Sequence, residues 1–61
     1  MEFIVDTFDK ATTTLLAAKL NGEVVNEKES LVIVDFACEQ NLTKKVKSIL
    51  ETDVFRITKK K

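Results

Sequence analysis

The chain has no histidine, proline, tryptophan or tyrosine, and only one cysteine and one glycine among its 61 residues. Without histidine, Ser-His and Cys-His nucleophile pairs and the usual Cys/His zinc spacings are excluded. A single glycine excludes a glycine-rich phosphate-binding loop, and a single cysteine cannot form a disulfide within the chain. We therefore expect a protein that is not an enzyme, with no cofactor, no metal and no small-molecule substrate.

Long hydrophobic runs are also missing. No apolar run exceeds four residues, as in LVIV at 31–34, whereas a membrane-spanning helix needs about 20. The first residues, MEFIVD, carry acids where a signal peptide carries basic residues. We expect no membrane association and a cytoplasmic, intracellular location.

The residues that are present suffice for one small domain, 1–61, with 44% hydrophobic residues. A domain of this size buries only about 60% of the surface that its unfolded chain exposes, so its stability margin should be thin. Small domains often add disulfides, metals or oligomerisation. The composition argues against the first two, so self-association is the expected supplement.

The clearest local pattern is the stretch CEQNLTKKVKSILE at 38–51. Its apolar residues recur at helical spacing, with Lys44 and Lys47 on the opposite side and Lys45 at the flank, which predicts an amphipathic helix with one packed face. Asp35 precedes this helix and is a candidate for its cap. The predicted buried stripe, in which Cys38 acts as a small hydrophobe, consists of Cys38, Leu42, Val46, Ile49 and Leu50.

Three stretches predict strands. These are EFIVDTF at 2–8, LVIVDF at 31–36 and VFRIT at 54–58. The second is a run of β-branched residues typical of a strand buried on both faces, and the third alternates, with Phe55 and Ile57 on one face and Arg56 on the other. The prediction is an α+β fold, a small antiparallel β-sheet with one helix at about 38–51 followed by a C-terminal strand.

Residues 9–20 admit two interpretations. In the preferred one, the threonine-rich segment 13–20 is a strand that enters a tight hairpin at Asn21-Gly22. Helix formation is the alternative, with a cap at Asp9 or Thr7 and a second helix at about 9–20, which gives a βαββαβ split-βαβ layout. Its predicted buried stripe is Phe8, Ala11, Leu15 and Ala18.

Two further features bear on this choice. A short repeat, FIVD at 3–6 and VIVD at 32–35, fits the βαββαβ alternative but is short enough to arise by chance. Under either interpretation, Gly22 is expected to adopt positive φ, the conformation that glycine accepts without strain.

Charge is distributed unevenly although the net charge is zero. Residues 1–42 contain eight acids and three lysines, a balance of −5, and residues 43–61 contain seven bases and two acids, a balance of +5. Residues 59–61 form a basic tail that we expect to fray. The seven bases form the candidate binding surface: Lys44, Lys45, Lys47, Arg56, Lys59, Lys60 and Lys61.

A surface with separate acidic and basic regions predicts a non-enzymatic protein-interaction module, acting as a regulator, inhibitor or assembly subunit. Opposite charges steer association and can match a protein partner or a second copy, so a homo-oligomer is expected. The alternative is a nucleic-acid-binding protein that uses the basic 43–61 region on phosphates. The absence of Tyr, Trp and His to stack on bases argues against that alternative.

Overall fold

The computed structural model describes residues 1–60, which fold in the order βαββαβ. The elements are β1 (Glu2–Asp6), α1 (Lys10–Lys19), β2 (Val24–Glu27), β3 (Leu31–Asp35), α2 (Glu39–Leu50) and β4 (Arg56–Lys59). All strand neighbours are antiparallel, in the order β2-β3-β1-β4. The α+β class, the antiparallel sheet, the helix predicted at about 38–51 and the C-terminal strand after it are confirmed.

The structure decides between the two interpretations of residues 9–20. They form α1, as in the split-βαβ alternative, so the preferred strand and the hairpin at Asn21-Gly22 are wrong. The units β1-α1-β2 and β3-α2-β4 interleave, and the repeated tetrapeptides occupy the equivalent strands β1 and β3, which pair with each other.

Asp9 explains why a threonine-rich segment begins a helix. Its carboxylate accepts hydrogen bonds from the Thr12 backbone N–H at 2.9 Å and from the Thr12 hydroxyl at 2.7 Å. Such an N-cap satisfies a donor that a helix otherwise leaves free. Capping and packing therefore outweigh the strand propensity of the three threonines.

The core lies between the two helices and one face of the sheet. In β1 and β3, alternate residues face the helices, and Ile33, which faces the other side of β3, is only 9% exposed. β3 is therefore buried on both faces, as predicted. The buried apolar residues that pack together between sheet and helices are Phe3, Val5, Leu16, Ala17, Leu20, Val32, Val34, Leu42 and Val46.

Three local predictions are wrong. Asp35 does not cap α2, because its carboxylate binds the α-amino group of Met1 at 2.8 Å. Cys38 is the N-cap residue, without a side-chain cap hydrogen bond, and it is half-buried outside the helix instead of lying in the core. Gly22 does not have positive φ, and a Cβ atom added there would meet nothing within 4 Å.

Neither of the two helices found in residues 1–60 is long and apolar enough to cross a membrane.

Candidate interaction surface

The basic residues of α2 lie where the sequence places them. Lys44, Lys45 and Lys47 are exposed; Lys44 and Lys47 lie on the side of the helix away from the buried Leu42 and Val46, and Lys45 lies at its flank. The amphipathic pattern therefore predicts this face of α2 correctly.

The other bases are divided between the two sides of the sheet. Ile57 packs against the core, so by alternation Lys59 lies on the helix side and Arg56 on the open side of the sheet. Lys60 is also on the open side, where its Nζ is 3.4 Å from the Glu2 carboxylate. The structure thus separates the predicted surface into two parts.

Two of the three residues of the predicted basic tail, 59–61, lie within the described part of the chain. Lys59 is the last residue of β4, and the Lys60 backbone N–H donates to the Glu2 carbonyl oxygen at 2.9 Å. These two residues continue the sheet instead of fraying. Lys61, the last of the predicted site residues, lies outside the described part of the chain.

The charge asymmetry of the sequence becomes an asymmetry between the two sheet edges. Three glutamates, Glu23, Glu27 and Glu29, lie in or beside the edge strand β2, and the bases of β4 lie at the opposite edge. Three strand spacings separate these edges, about 14 Å. That separation exceeds the distance of about 10 Å over which 0.1 M salt screens exposed charges, so each edge presents its own sign to a partner.

α1 carries apolar residues on two opposite faces. The fold buries Thr13, Leu16, Ala17 and Leu20, which recur at i, i+3, i+4 and i+7. The predicted stripe is wrong, because all of its residues are exposed: Phe8, Ala11, Leu15 and Ala18. We call Ala11, Leu15 and Ala18, together with Phe8 in the turn before the helix, the outer face of α1. Phe8 is 57% exposed and Leu15 is 46% exposed.

Phe8 is held in an unusual conformation in the turn between β1 and α1. Its φ is +63°, in the left-handed region that bulky side chains rarely adopt. Its backbone N–H donates to Oδ1 of Asp6 at 3.0 Å. The side chain nevertheless remains in solvent, so burial of the ring does not compensate for this backbone strain.

A buried hydroxyl cluster fixes the same turn. The Thr7 side chain is 3% exposed, and its hydroxyl lies 2.9 Å from the Asp9 carbonyl oxygen and 3.1 Å from the Ser30 carbonyl oxygen. It also contacts the Thr13 hydroxyl. These contacts join the end of β1, the start of α1 and the β2–β3 turn. They hold the loop that carries Phe8 in place.

No group of three or more His, Cys, Asp or Glu side chains within 1–60 is placed to hold a metal ion. A surface depression of about 390 Å³ lies over the first turns of α2, lined by Glu39, Gln40, Thr43 and Lys44. It is open to solvent, whereas small-molecule sites usually enclose most of the ligand.

Comparison with protein-family models, with curated proteins and with solved structures gave no match.

The sequence prediction missed the outer face of α1 because it assigned these residues to the core. One signal was available. The helix interpretation left Leu16 and Leu20 outside its predicted stripe, although large aliphatic side chains are usually buried. Apolar residues on both sides of a predicted surface helix indicate that one side packs in the fold and the other is free.

Proposed function

We propose that the chain is a non-enzymatic protein-interaction module, a regulator, inhibitor or assembly subunit that self-associates, and that the outer face of α1 is its contact surface. The observation that carries this proposal is the exposure of Leu15, on a helix whose opposite face already supplies the core, and of Phe8 in the turn that precedes this helix. Apolar side chains grouped on a surface mark sites of protein contact more often than scattered ones do.

The conformation of Phe8 supports a role in binding. A residue other than glycine held in a sparsely populated region costs on the order of 1–3 kcal/mol. For 61 residues, the whole free energy of unfolding is expected to be only about 3–9 kcal/mol. A strained and exposed aromatic residue is costly for so small a domain, and a contact that buries the ring offsets the cost. Aromatic side chains in rigid positions are typical binding anchors.

The charged edges of the sheet have a secondary part in this proposal. The acidic edge at β2 and the basic edge at β4 steer the approach of a partner and disfavour wrong orientations. They contribute less to affinity, because solvent-exposed ion pairs are worth only about 0–1 kcal/mol. In this proposal, the apolar outer face of α1 supplies most of the affinity.

Nucleic-acid binding is the second candidate function. The observation in its favour is the row of exposed lysines on α2, Lys44, Lys45 and Lys47, because phosphate backbones bind to bases that share a surface. Two observations argue against it. Arg56 and Lys60 lie on the other side of the sheet from α2, and Phe3 is buried beneath the helices. Phe36 and Phe55 also pack against the core, so among residues 1–60 the open side of the sheet offers no aromatic ring for stacking with bases.

Site-specific photo-crosslinking tests the proposed function. A benzophenone side chain is introduced at Leu15, on the outer face of α1, and in a second variant at Ser48, an exposed position of α2. The chain is irradiated in the cells that express it, with and without nuclease treatment of the products. We expect nuclease-resistant protein adducts, with itself or with another protein, from position 15 and few from position 48.

The same experiment decides against the proposal under two outcomes. Equal adducts from both positions would show that the outer face of α1 is not a preferred contact surface. Adducts from position 48 that nuclease removes would favour the nucleic-acid candidate.

A further inference from the structure

We infer that two copies of the chain exchange their halves, so that β1-α1-β2 of one copy packs against β3-α2-β4 of the other. The hinge is the loop between β2 and β3, formed by Glu29 and Ser30. Exchange of identical elements gives a dimer without any new surface, because the contacts of one folded chain are re-formed between two. This contact does not use the outer face of α1, so it goes beyond the proposed function.

Every strand pairing joins one half of the chain to the other. Within residues 1–60, β1 pairs with β3 and β4, and β2 pairs with β3, so no strand pairs with a strand of its own half. The core is shared in the same way. The first half supplies Phe3, Val5, Leu16, Ala17 and Leu20, and the second supplies Val32, Val34, Leu42 and Val46. Each half therefore needs the other to form the sheet and the core, whether it comes from the same chain or from a second one.

The two halves face each other as the subunits of a symmetric dimer do. A shift of 29 residues maps Glu2–Asp6 onto Leu31–Asp35, and it maps Lys10, the start of α1, onto Glu39, the start of α2. Ile4 and Ile33 correspond under this shift and are directly opposite each other in the sheet. An approximate two-fold axis therefore passes between them. A self-complementary contact about a two-fold axis is the commonest way in which two chains associate.

The hinge is a two-residue loop of an unfavourable kind. The Lys28 backbone N–H donates to the Leu31 carbonyl oxygen at 2.8 Å, which leaves Glu29 and Ser30 to reverse the chain. The turns that suit a two-residue hairpin, types I′ and II′, need positive φ in the loop. Neither hinge residue has positive φ, so the twist of the loop does not match that of the flanking strands. Strained short hinges favour exchange.

The hydrogen bonds beside the hinge survive its opening. The Ser30 carbonyl oxygen accepts from the Thr7 backbone N–H at 2.8 Å and from the Thr7 hydroxyl at 3.1 Å. The Asp35 backbone N–H donates to the Glu23 carbonyl oxygen at 2.9 Å. These bonds join the two halves, so they re-form between copies. The closed and exchanged forms then differ only in the loop itself.

Concentration decides between the two forms. Within one chain, a short link holds the halves at an effective concentration on the order of 1 mM, so the closed monomer prevails well below that value. Exchange breaks every strand pairing, and we therefore expect it to be as slow as unfolding of the whole domain. A dimer formed at high concentration should persist after dilution.

Disulfide trapping distinguishes exchange from contact between closed chains. Glu2→Cys and Asp35→Cys are combined with Cys38→Ser, since Glu2 and Asp35 are directly opposite each other in β1 and β3. Opposite Cα atoms in antiparallel strands are about 4.5–5.5 Å apart, which suits a disulfide. The chain is unfolded in urea, refolded at about 1 mM, oxidised and separated by size.

We expect a dimer fraction in which the new disulfides join two chains, so that it keeps twice the chain mass on a denaturing gel without reductant. Refolding at about 10 µM, far below the effective concentration, should give disulfides within single chains and the mass of the monomer. The chain that carries Glu2→Cys and Cys38→Ser but keeps Asp35 is the control for random oxidation.

Two variants of the hinge change the same two positions in opposite directions. Glu29→Asn with Ser30→Gly supplies a type I′ turn and should abolish the dimer at about 1 mM. Glu29→Pro with Ser30→Pro holds the loop open, because a proline disfavours the turn conformation of the residue before it. This proline variant should be dimeric even at about 10 µM. Sedimentation velocity measures both, and circular dichroism shows whether each is folded.

Three results would each overturn the exchange: no dimer after refolding at about 1 mM, a dimer whose disulfides all lie within single chains, or a proline variant that is folded and monomeric. If the proline variant does not fold, the disulfides of the unmodified hinge decide alone. Crosslinks from position 15 do not require exchange, so these results leave the outer face of α1 to its own test.

Discussion

The two helices pack on the same face of the sheet but differ in what they present to solvent. α2 buries Leu42 and Val46 and exposes lysines, so the fold accounts for every large apolar residue in it. α1 buries Leu16 and Ala17 and exposes Leu15 with two alanines, and Phe8 is exposed in the turn that precedes the helix. The apolar residues of α2 are explained by folding alone, whereas those of α1 exceed what folding uses. That excess is why we place the contact surface on α1.

Backbone strain shows the same contrast. Two residues other than glycine have positive φ in residues 1–60, Phe8 with +63° and Glu51 with +53°. Glu51 is the C-cap of α2, and a left-handed residue is a common way to end a helix. Phe8 precedes an N-cap, where no such conformation is needed. The strain at Glu51 belongs to helix termination, and the strain at Phe8 positions an exposed ring.

The largest expected effect is at the buried face of α2. Val46 is fully buried, so Val46→Asp places an unpaired carboxylate in the core and should remove several kcal/mol, most of the expected free energy of unfolding. Lys44→Asp, on the exposed face of the same helix, should change this free energy by less than about 0.5 kcal/mol. Urea denaturation measures both. Equal losses would mean that the two faces of α2 are assigned wrongly.

The sequence predicts α2 well because a single periodic pattern determines it. The apolar residues fall on one face, the lysines on the other, and no second arrangement competes. The strands at Glu2–Asp6 and Leu31–Asp35 are predicted for a similar reason, since β-branched runs of that length favour a strand. The predicted boundaries of the helix differ from the observed ones by one residue at each end.

α1 is predicted less well because two signals in it conflict. Three consecutive threonines favour a strand, whereas Asp9, one of the two candidate caps in the sequence, favours a helix, and the structure shows that the cap is formed. Apolar residues occupy positions 11, 15, 16, 17, 18 and 20, so more than one set of them has the spacing of a buried helix face. Only packing against β2 and β3 determines which set is buried. The two-part basic surface is only partly predictable, because the alternation at 54–58 places Arg56 opposite Ile57 but does not say on which side of the sheet the lysines of α2 lie.

The two adjacent leucines of α1 provide the most direct test of its faces. Leu16→Ala removes a fully buried side chain and should cost about 2–5 kcal/mol. Leu15→Ala removes a half-exposed one and should change the free energy of unfolding by less than about 0.5 kcal/mol, since alanine is also the better helix former. Both are measured by thermal and urea unfolding at concentrations where the chain is monomeric. The reverse order of effects would restore the stripe predicted from the sequence.

Asparagine substitutions at the two left-handed residues compare the two kinds of strain. Asparagine accepts the left-handed region more readily than most residues do, so Phe8→Asn and Glu51→Asn should each stabilise the monomer by about 0.5–1 kcal/mol. Their effects on the crosslinks from position 15 should differ, because Phe8→Asn removes the proposed anchor and Glu51→Asn does not touch it. Loss of these crosslinks in both variants, or in neither, would contradict the proposed role of Phe8.

The smallest expected effect comes from the side-chain hydrogen bond that caps α1, since the N-cap of α2 has no such bond. The hydrogen bond from the Thr12 hydroxyl, together with that from its backbone N–H, lowers the pKa of Asp9 from its ordinary value of 3.8. A carboxyl whose pKa is lower in the folded chain stabilises the fold above its unfolded pKa, and this stabilisation is lost as the pH falls through the folded value. Asp9→Asn keeps a capping oxygen without the titration. We therefore expect the melting temperature of the unmodified chain to fall more steeply below about pH 4 than that of Asp9→Asn. Parallel curves would mean that the Asp9 carboxylate is not held by the cap in solution.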